Sequence, residues 1–218
     1  MPQPKTAKDR FTMKAKRPRK SKGAAPESSD IEHVLEALQE SARAKIDVSP
    51  GEAAKIALAA AIIVEAYRRG KKVILFGNGG SAADAQHIAA ELVGKFGKVR
   101  AALPALALNV NTSVLTSISN DIDFRSVFSR QVEALAAEGD VVIGISTSGR
   151  SPSVLEGMRA ATEKGARTIG MTGQSGEPLR MAVELCLTAP SQKTPRIQEV
   201  HITMGHIICE LVENRLFG

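Results

Sequence analysis

The chain has few aromatic residues and no long apolar run. It contains no Trp, one Tyr and six Phe, although 43% of its 218 residues are hydrophobic. A core of this composition must be built from Ala, Ile, Leu and Val, and the length suits one α/β domain with helical additions. The longest apolar run, residues 56–64, is far shorter than the roughly 20 residues that a membrane span requires. We therefore expect no membrane segment.

The chain has only two cysteines, and no hydrophobic leader sequence is recognisable in it. The two cysteines, Cys186 and Cys209, lie within apolar segments and form no paired framework. Buried, reduced cysteines are typical of proteins in a reducing compartment. The first 30 residues contain no hydrophobic block of the kind that directs secretion. Together these absences predict a cytoplasmic protein.

Positive charge is concentrated at the N-terminus. Residues 1–22 hold nine Lys/Arg and one Asp, a formal charge of +8, whereas the rest of the chain carries −2. Such a segment cannot bury enough surface to fold, and residues 1–29 are predicted to be a disordered basic extension. An arm for nucleic acid or an acidic partner, or an upstream start codon before Met13, are the alternatives. The charge of the remaining chain gives no reason to expect nucleic-acid binding there.

The periodicity beyond the extension predicts one domain, residues 30–218. Two helices are expected within residues 30–70, and from residue 71 onward short apolar runs alternate with amphipathic helical segments until a long closing helix. This alternation predicts an α/β three-layer sandwich with a mostly parallel, flavodoxin-like central sheet. The N-terminal helices lie outside the sheet and are expected to pack against another subunit. The strand-length runs are residues 72–76, 102–108, 140–146, 167–173 and 183–189.

A glycine turn, GNGGSAAD at residues 77–84, follows the first predicted strand. Gly79 and Gly80 permit close backbone approach by a ligand, and we expect Ser81 to cap the next helix with Asp84 in a capping-box-like arrangement. The turn lacks the spacing of a dinucleotide fingerprint and the Gly-Lys-Ser/Thr of a nucleotide phosphate loop. A turn of this kind is also common as a purely structural element.

A second turn follows the third predicted strand and is rich in hydroxyls. It carries Ser146, Thr147, Ser148 and Ser151, and a helix is expected to start at Pro152. In parallel sheets ligands bind beyond the carboxyl ends of strands, where helix N-termini present free N–H groups. Hydroxyls and amides there can hold a phosphate without a permanent cation. The two turns together predict a sugar-phosphate site.

Histidine is rare, and three of the four histidines fall in two predicted helices. His87 and Glu91 are four residues apart on a helix and therefore share one face. A metal or acid–base site is one interpretation, and a histidine beside an unrelated acid is the other. The closing helix adds further candidates, namely Gln198, Glu199, His201 and His206.

Four segments together resemble the phosphoheptose isomerase family, a group within the sugar isomerase (SIS) domain proteins. They are GNGGSAADAQHIAAEL, LPALALNVNTSVLTSISND, FSRQVEALAAEGDVVIGISTSGRSP and TPRIQEVHITMGHIICELVE, and the resemblance covers residues 30–218. It implies conversion of sedoheptulose 7-phosphate to D-glycero-D-manno-heptose 7-phosphate through an enediol. This reaction would be the first step toward ADP- or GDP-heptose for bacterial surface glycans such as lipopolysaccharide.

The resemblance also implies a site, a cofactor and an assembly. Glu91 and His206 would be the acid–base pair. One Zn²⁺ per subunit, partly occupied in purified protein, would be bound by His87, Glu91, Gln198 and His206. The protein would be a homotetramer with active sites at subunit interfaces. The implied substrate-binding residues are Asn78, Gly79, Gly80, Ser81, Asn120, Asp121, Ser146, Thr147, Ser148, Ser151 and Gln198.

The sequence differs from the family in two features, and two other functions are alternatives. The basic extension is absent from the family core, and Pro195 stands where some members carry an acidic residue. One alternative is an adaptor of the same fold that binds the bacterial replication initiator, whose best-known form lacks the histidine matching His206. The other is an isomerase or binding module for a different phosphosugar. The presence of the full implied metal set favours the isomerase.

Overall fold

The computed structural model describes residues 27–218. The chain divides into a short N-terminal unit that ends at Glu36 and a larger unit, Ala37–Gly218. The described part of the first unit begins helix α1 (Ser28–Ile46). The predicted disordered extension, residues 1–29, lies outside the described residues except for its last three. Within residues 27–218, no helix is both long and apolar enough to cross a membrane.

The larger unit contains one five-stranded sheet in which all neighbouring strands are parallel, in the order β2-β1-β3-β4-β5. This confirms the predicted α/β fold with a parallel sheet. The strands are β1 (Val73–Gly77), β2 (Ala105–Ala107), β3 (Val141–Ile145), β4 (Arg167–Gly173) and β5 (Leu185–Ala189). The helices are α2 (Pro50–Arg68), α3 (Gly80–Val93), α4 (Thr112–Asp121), α5 (Ser129–Leu135), α6 (Pro152–Glu163), α7 (Glu177–Met181) and α8 (Thr194–Phe217), with a 3₁₀ turn at Phe124–Ser126.

Two predicted strands, β2 and β5, begin at least two residues later in the structure than the apolar runs suggest. The run 102–108 contains Pro104, which lacks an N–H for the ladder, and β2 begins only after it. The run 183–189 loses its first two residues because the Glu184 N–H donates to Thr168 Oγ1 at 2.9 Å instead of to a strand. In the first case a backbone N–H is missing, and in the second it is bonded elsewhere. The backbone N–H, rather than hydrophobicity, thus determines where each strand begins.

Helices cover both faces of the sheet and produce the three layers. Along β1, Val73 and Leu75 belong to a core that contains residues of α2, α3 and α8, whereas Ile74 and Phe76 belong to a core with residues of α5 and α6. This alternation follows from the two-residue period of a strand. Burial on both faces is why the strands read as continuous apolar runs.

The strand order places a crevice beside β1. The chain passes from β1 outward to β2 and returns to the other side of β1 for β3, so the helices leave β1 and β3 toward opposite faces. In this register Gly77 pairs with Ile145, which aligns the carboxyl ends of β1 and β3. Such a switch point is where open parallel sheets bind ligands. Both predicted turns therefore lie at one edge of the sheet.

His201 of α8 is a buried titratable group beside the carboxyl end of β4. It is fully buried, its Nε2 lies 3.1 Å from the carbonyl oxygen of Thr172, and its Nδ1 has no hydrogen-bond partner among residues 27–218. Burial lowers the pKa of His201 to about 4, although the hydrogen bond to the Thr172 carbonyl acts in the opposite direction. In the unfolded chain a histidine has a pKa of about 6.5. Between these two values the unfolded chain binds more protons, so the free energy of unfolding falls as the pH falls.

We predict that the urea midpoint of unfolding drops between pH 6.5 and pH 4 and that His201→Gln removes much of this dependence. The expected contribution is about 3 kcal/mol across that range, at about 1.4 kcal/mol per pH unit. The measurement is urea unfolding followed by circular dichroism at several pH values for both proteins. Parallel pH dependences in parent and variant would contradict the assignment.

Candidate active site

The glycine turn enters helix α3 differently from the sequence prediction. Gly79 is the N-cap residue, no side chain caps the helix, and Ser81 is already its second residue. The predicted cap by Ser81 and capping box with Asp84 are therefore wrong, because the turn reaches helical geometry two residues earlier. Asp84 instead has a buried Oδ2 that no group in the described part of the chain hydrogen-bonds. Burial raises the pKa of Asp84 to about 6, and the charge of His87 one turn later opposes this.

A small polar cavity lies between the ends of β1 and β3. Its volume is about 170 Å³, and α3 and α6 both begin beside it. A pocket that encloses a whole drug-sized ligand usually has about 300 Å³ or more, so this cavity suits one end of a ligand. The start of α6 at Pro152 matches the prediction. The lining brings together six predicted residues with Ile145, namely Asn78, Ser81, Ser146, Thr147, Ser148 and Ser151.

Asn78 links the two turns. Its Nδ2 donates to Ser151 Oγ at 2.9 Å and to Ser153 Oγ at 3.0 Å. Asn109 supports the same turn by donating from Nδ2 to the Gly77 carbonyl oxygen at 2.8 Å. Neither Ser153 nor Asn109 was predicted from the sequence, since an isolated polar residue near a strand end is an ordinary loop feature. These bonds fix the cavity wall without using the hydroxyls of Ser146 or Ser148.

Gln198 of α8 lies over the glycine turn. A Cβ added at Gly80 would overlap the side-chain amide of Gln198. Only glycine therefore leaves room for Gln198 at this place. The structure thus brings together two predicted residues that are 118 positions apart in the sequence.

Three side chains from α3 and α8 converge next to this turn. His87 Nε2 lies 2.9 Å from His206 Nε2 and 3.3 Å from Glu91 Oε1. One ligand atom from each of the three residues lies within 4.8 Å of the others. The structure therefore places His87 and Glu91 next to His206, as predicted. The side chain of His87 is 49% exposed and that of Glu91 is 23% exposed, so a ligand can reach both.

A close helix contact brings α3 and α8 together at this group. Gly205 precedes His206, and a Cβ added there would lie 2.6 Å from Ile88 Cδ1, beside His87. The absence of a side chain at Gly205 thus allows α8 to approach α3 where the two imidazoles meet. This role of Gly205 was not predictable from the sequence, because a glycine within a helix does not indicate which residue packs against it.

The donor set of this group fits a metal ion. Two lone pairs on Nε2 atoms 2.9 Å apart repel one another unless a proton or a cation lies between them. Two imidazoles and a carboxylate form a donor set known from catalytic zinc sites, which keep a further position open for water or substrate. His87, Glu91 and His206 could therefore hold such an ion, and without it they remain a paired acid and base.

Several predicted residues do not join this group. His201 is buried against Thr172, and Glu199 pairs with Arg196 at 3.2 Å. Asn120 and Asp121 end α4, are exposed, and are joined by a hydrogen bond from Asn120 Nδ2 to Asp121 Oδ1 of 2.7 Å. Neither of them lines the polar cavity. Asp121 instead borders a separate, mostly apolar cavity of about 690 Å³ next to β2.

The polar cavity and the histidine group lie at two positions along α3. His87 follows Ser81 by six residues, which is about 9 Å along a helix axis. Side chains on a helix lean toward its N-terminus, so His87 and Glu91 lean toward the end of α3 at which the cavity lies. This arrangement suits an extended ligand with an anionic end in the cavity and its reacting atoms near the histidines.

The chain is similar to proteins of one named group. A family model described as SIS domain matches residues 36–173. The chain is 52% identical over 193 residues to a phosphoheptose isomerase from Roseiflexus sp. (strain RS-1), an alignment that covers 88% of this chain and 98% of that protein. It is 51% identical over 183 residues to the phosphoheptose isomerase from Aquifex aeolicus, covering 84% of this chain and 96% of that protein.

Solved structures give the same result. The structure of phosphoheptose isomerase from Neisseria gonorrhoeae is 40% identical in sequence, has a TM-score of 0.78, and is matched over 98% of its length by 84% of this chain. That of a phosphoheptose isomerase from Francisella tularensis is 31% identical, has a TM-score of 0.81, and is matched over 98% of its length by 85% of this chain. Each of these four alignments therefore spans more than four fifths of this chain.

Proposed function

Because this chain belongs to the phosphoheptose isomerase family of SIS domain proteins, we propose that it converts sedoheptulose 7-phosphate to D-glycero-D-manno-heptose 7-phosphate. The observation that carries the proposal is the convergence of His87, Glu91 and His206 beside a hydroxyl-lined cavity. The adaptor alternative needs no such acid–base group, and it is therefore disfavoured.

The cavity supplies binding for the phosphate. Hydroxyls of Ser81, Ser146, Thr147, Ser148 and Ser151 line it, and two helix N-termini border it. The first N–H groups of a helix lack partners within the helix and favour anions. With the phosphate held there, the carbon chain extends along α3 and its carbonyl end reaches the histidine group. The axial separation of about 9 Å favours a sugar with several carbons between phosphate and carbonyl.

The histidine group supplies the proton transfers. Conversion of a ketose to an aldose removes a proton from C1, moves a proton between the two oxygens, and adds a proton at C2. We assign the carbon-bound proton to the Glu91 carboxylate and the oxygen protons to the His206 imidazole. Both groups are accessible and lie together, as such a relay requires. Gln198, Asn78, Gly79 and Gly80 are proposed to orient the sugar at the turn.

We further propose that Zn²⁺ is held by His87, Glu91 and His206, with Gln198 as the fourth ligand. A Zn²⁺ bound there would polarise the carbonyl and stabilise the developing negative charge. An amide oxygen is a weak zinc ligand, so partial occupancy in purified protein is expected.

We also propose a homotetramer whose active sites lie at subunit interfaces. Large apolar side chains are exposed along α1, including Leu35 at 53%, Leu38 at 63% and Ile46 at 79%. Exposed apolar patches of this kind mark association surfaces. Asn120 and Asp121, which lie outside the cavity of their own chain, are proposed to contact substrate in a neighbouring subunit. The proposed setting is the cytoplasm, at the first step toward activated heptose for lipopolysaccharide.

The proposal is tested by turnover of sedoheptulose 7-phosphate by purified protein after treatment with chelator and again after added Zn²⁺. We expect turnover with Zn²⁺, a loss of at least about tenfold after metal removal, and recovery on readdition, since even the loss of a group that only orients a metal ligand costs about that much. Other ketose phosphates and the bacterial replication initiator serve as competing ligands. A folded tetramer that turns over a different phosphosugar, or that only binds the initiator, would contradict the proposal.

A substitution at the glycine turn provides an independent prediction. In Gly80→Ala the added methyl group displaces the amide of Gln198, and we expect kcat/KM to fall by about 10²-fold, as misplacement by about 1 Å does elsewhere. The matched control is Gly51→Ala in α2, where a Cβ meets only Ser49 Oγ at 3.9 Å. Steady-state kinetics with a melting curve for each protein provides the measurement. Unchanged kinetics in Gly80→Ala would contradict a role for Gln198.

A further inference from the structure

A buried ion pair lies behind the histidine group and connects α3 with α8. Arg100 Nε donates to Glu213 Oε2 at 3.1 Å, and the two side chains are only 2% and 4% exposed. Removing both charges from water is costly, and their mutual attraction offsets the cost only where further hydrogen bonds satisfy each group. The remaining bonds of each side chain therefore indicate what the pair does.

Arg100 closes the C-terminal end of α3. Its guanidinium donates from Nη1 to the carbonyl oxygen of Leu92 at 2.8 Å and from Nη2 to the carbonyl oxygen of Glu91 at 2.9 Å. The last carbonyls of a helix have no partner within the helix, and a cation there is favourable. One of the two carbonyls belongs to Glu91 itself. Arg100 thus fixes the backbone that carries the proposed catalytic carboxylate.

Glu213 holds the segment that follows α3. Its carboxylate accepts from the backbone N–H groups of Phe96, Gly97 and Lys98 at 3.1, 2.9 and 2.6 Å. Burial alone would raise the pKa of Glu213, but these donors and Arg100 hold it at about 2. The carboxylate is therefore charged at every pH at which the enzyme would work.

The same interactions extend to His206. Glu213 follows His206 by seven residues, which places both on one face of α8 at a distance of two turns. The segment that Glu213 holds also presents Phe96, whose ring centroid lies 5.8 Å from that of His206 at an angle of 44°. Arg100 thus hydrogen-bonds the backbone carbonyl of Glu91. Glu213 holds the backbone of Phe96, whose ring packs against His206.

We infer that Arg100 and Glu213 are positioning residues that set the separation of Glu91 and His206 and thereby the affinity of the group for a divalent metal. This inference rests on the proposed function for its catalytic consequence but not for the metal affinity. The pair itself touches neither the polar cavity nor its lining hydroxyls. Its loss should therefore act on metal binding and kcat while leaving phosphate binding nearly intact.

The test uses two variants with different defects in the full chain. Glu213→Gln keeps the size of the side chain but turns an amide N–H₂ toward backbone donors. Arg100→Lys keeps the charge but cannot reach Glu213 and two carbonyls at once, because an ammonium lacks the planar fork of a guanidinium. The matched control is Arg167→Lys, which alters the ion pair of Arg167 with Glu184 at the start of β4, where Arg167 Nε lies 2.7 Å from Glu184 Oε2.

We expect the Zn²⁺ dissociation constant, measured by competition with a chromogenic chelator, to rise about 10- to 100-fold in both variants. At saturating Zn²⁺ we expect kcat for sedoheptulose 7-phosphate to fall by about tenfold or more, with KM within about threefold of the parent. Arg167→Lys should match the parent in all three quantities. If Glu213→Gln does not fold, Arg100→Lys, which retains the charge, decides the question alone.

The outcomes separate this inference from the proposed function. If the parent binds Zn²⁺ but does not turn over the substrate, the proposed function is wrong. The inference is then tested only by comparing the Zn²⁺ dissociation constants of the parent and the two variants. Variants that only unfold more easily, with parental zinc affinity and kcat in the folded state, would show a purely structural pair and overturn it. A parent that binds no Zn²⁺ would also overturn it, since there would be no metal affinity to set.

Discussion

Glu91→Gln is expected to lower kcat for sedoheptulose 7-phosphate by about 10²- to 10⁴-fold, the usual range for loss of a general base. The amide has the shape of the carboxylate but cannot accept the C1 proton. KM should change little, because the proposed phosphate site lies at the turns after β1 and β3, apart from Glu91. The measurement is steady-state turnover at saturating Zn²⁺, so that any loss of metal affinity is compensated.

The matched control for Glu91→Gln is Glu210→Gln, which makes the same change at an exposed position one turn after His206. Its kinetics should equal those of the parent. A Glu91→Gln protein that keeps its fold and more than about a tenth of parental kcat would exclude Glu91 as the base, since this loss is below that of general-base removal.

His206→Asn is expected to lower kcat by about 10²-fold or more and to weaken Zn²⁺ binding in the same protein. The asparagine amide cannot exchange protons with the sugar oxygens, which removes general-acid catalysis. It also removes the Nε2 atom that lies 2.9 Å from His87 Nε2, leaving one imidazole in the group. Turnover and chelator competition on the same preparation provide the two measurements.

The corresponding control is His33→Asn, at an exposed position of α1. We expect parental zinc affinity and kcat in this protein. If His206→Asn lost metal affinity but kept parental kcat when Zn²⁺ was saturating, His206 would be a metal ligand without a role in proton transfer. The acid–base pair as assigned would then be wrong.

Much of the fold could be predicted from the sequence because strands buried on both faces read as short continuous apolar runs. Runs such as 140–146 and 167–173 therefore located β3 and β4 closely. The predicted strand bounds were wrong where a missing or diverted backbone N–H sets the start of a strand, as the missing N–H of Pro104 does before β2. The predicted N-cap of α3 at Ser81 was also wrong, because a glycine turn can reach helical geometry before the first residue with a hydroxyl.

The histidine–glutamate pair was predictable because both residues lie on one helix, where spacing alone sets the face. The choice between His201 and His206 was not predictable from α8 alone. They are five residues apart, about 140° around the helix, and only the packing shows which faces α3. That packing depends on the contact of Gly205 with Ile88, and the pair of Arg100 with Glu213 likewise joins residues 113 positions apart. The predicted roles of Asn120 and Asp121 require a neighbouring subunit and stay predictions.

The central claim is that Glu91 moves a carbon-bound proton of a sugar phosphate through an enediol. It is tested most directly by converting sedoheptulose 7-phosphate in D₂O and locating deuterium in the product by NMR. Because the Glu91 side chain is partly exposed, its acquired proton exchanges with solvent, and we predict deuterium at C2 of the aldose product. Glu91→Gln should show neither product nor exchange at C1 of the ketose. Full conversion with no deuterium at C2 would indicate direct hydride transfer and contradict the account.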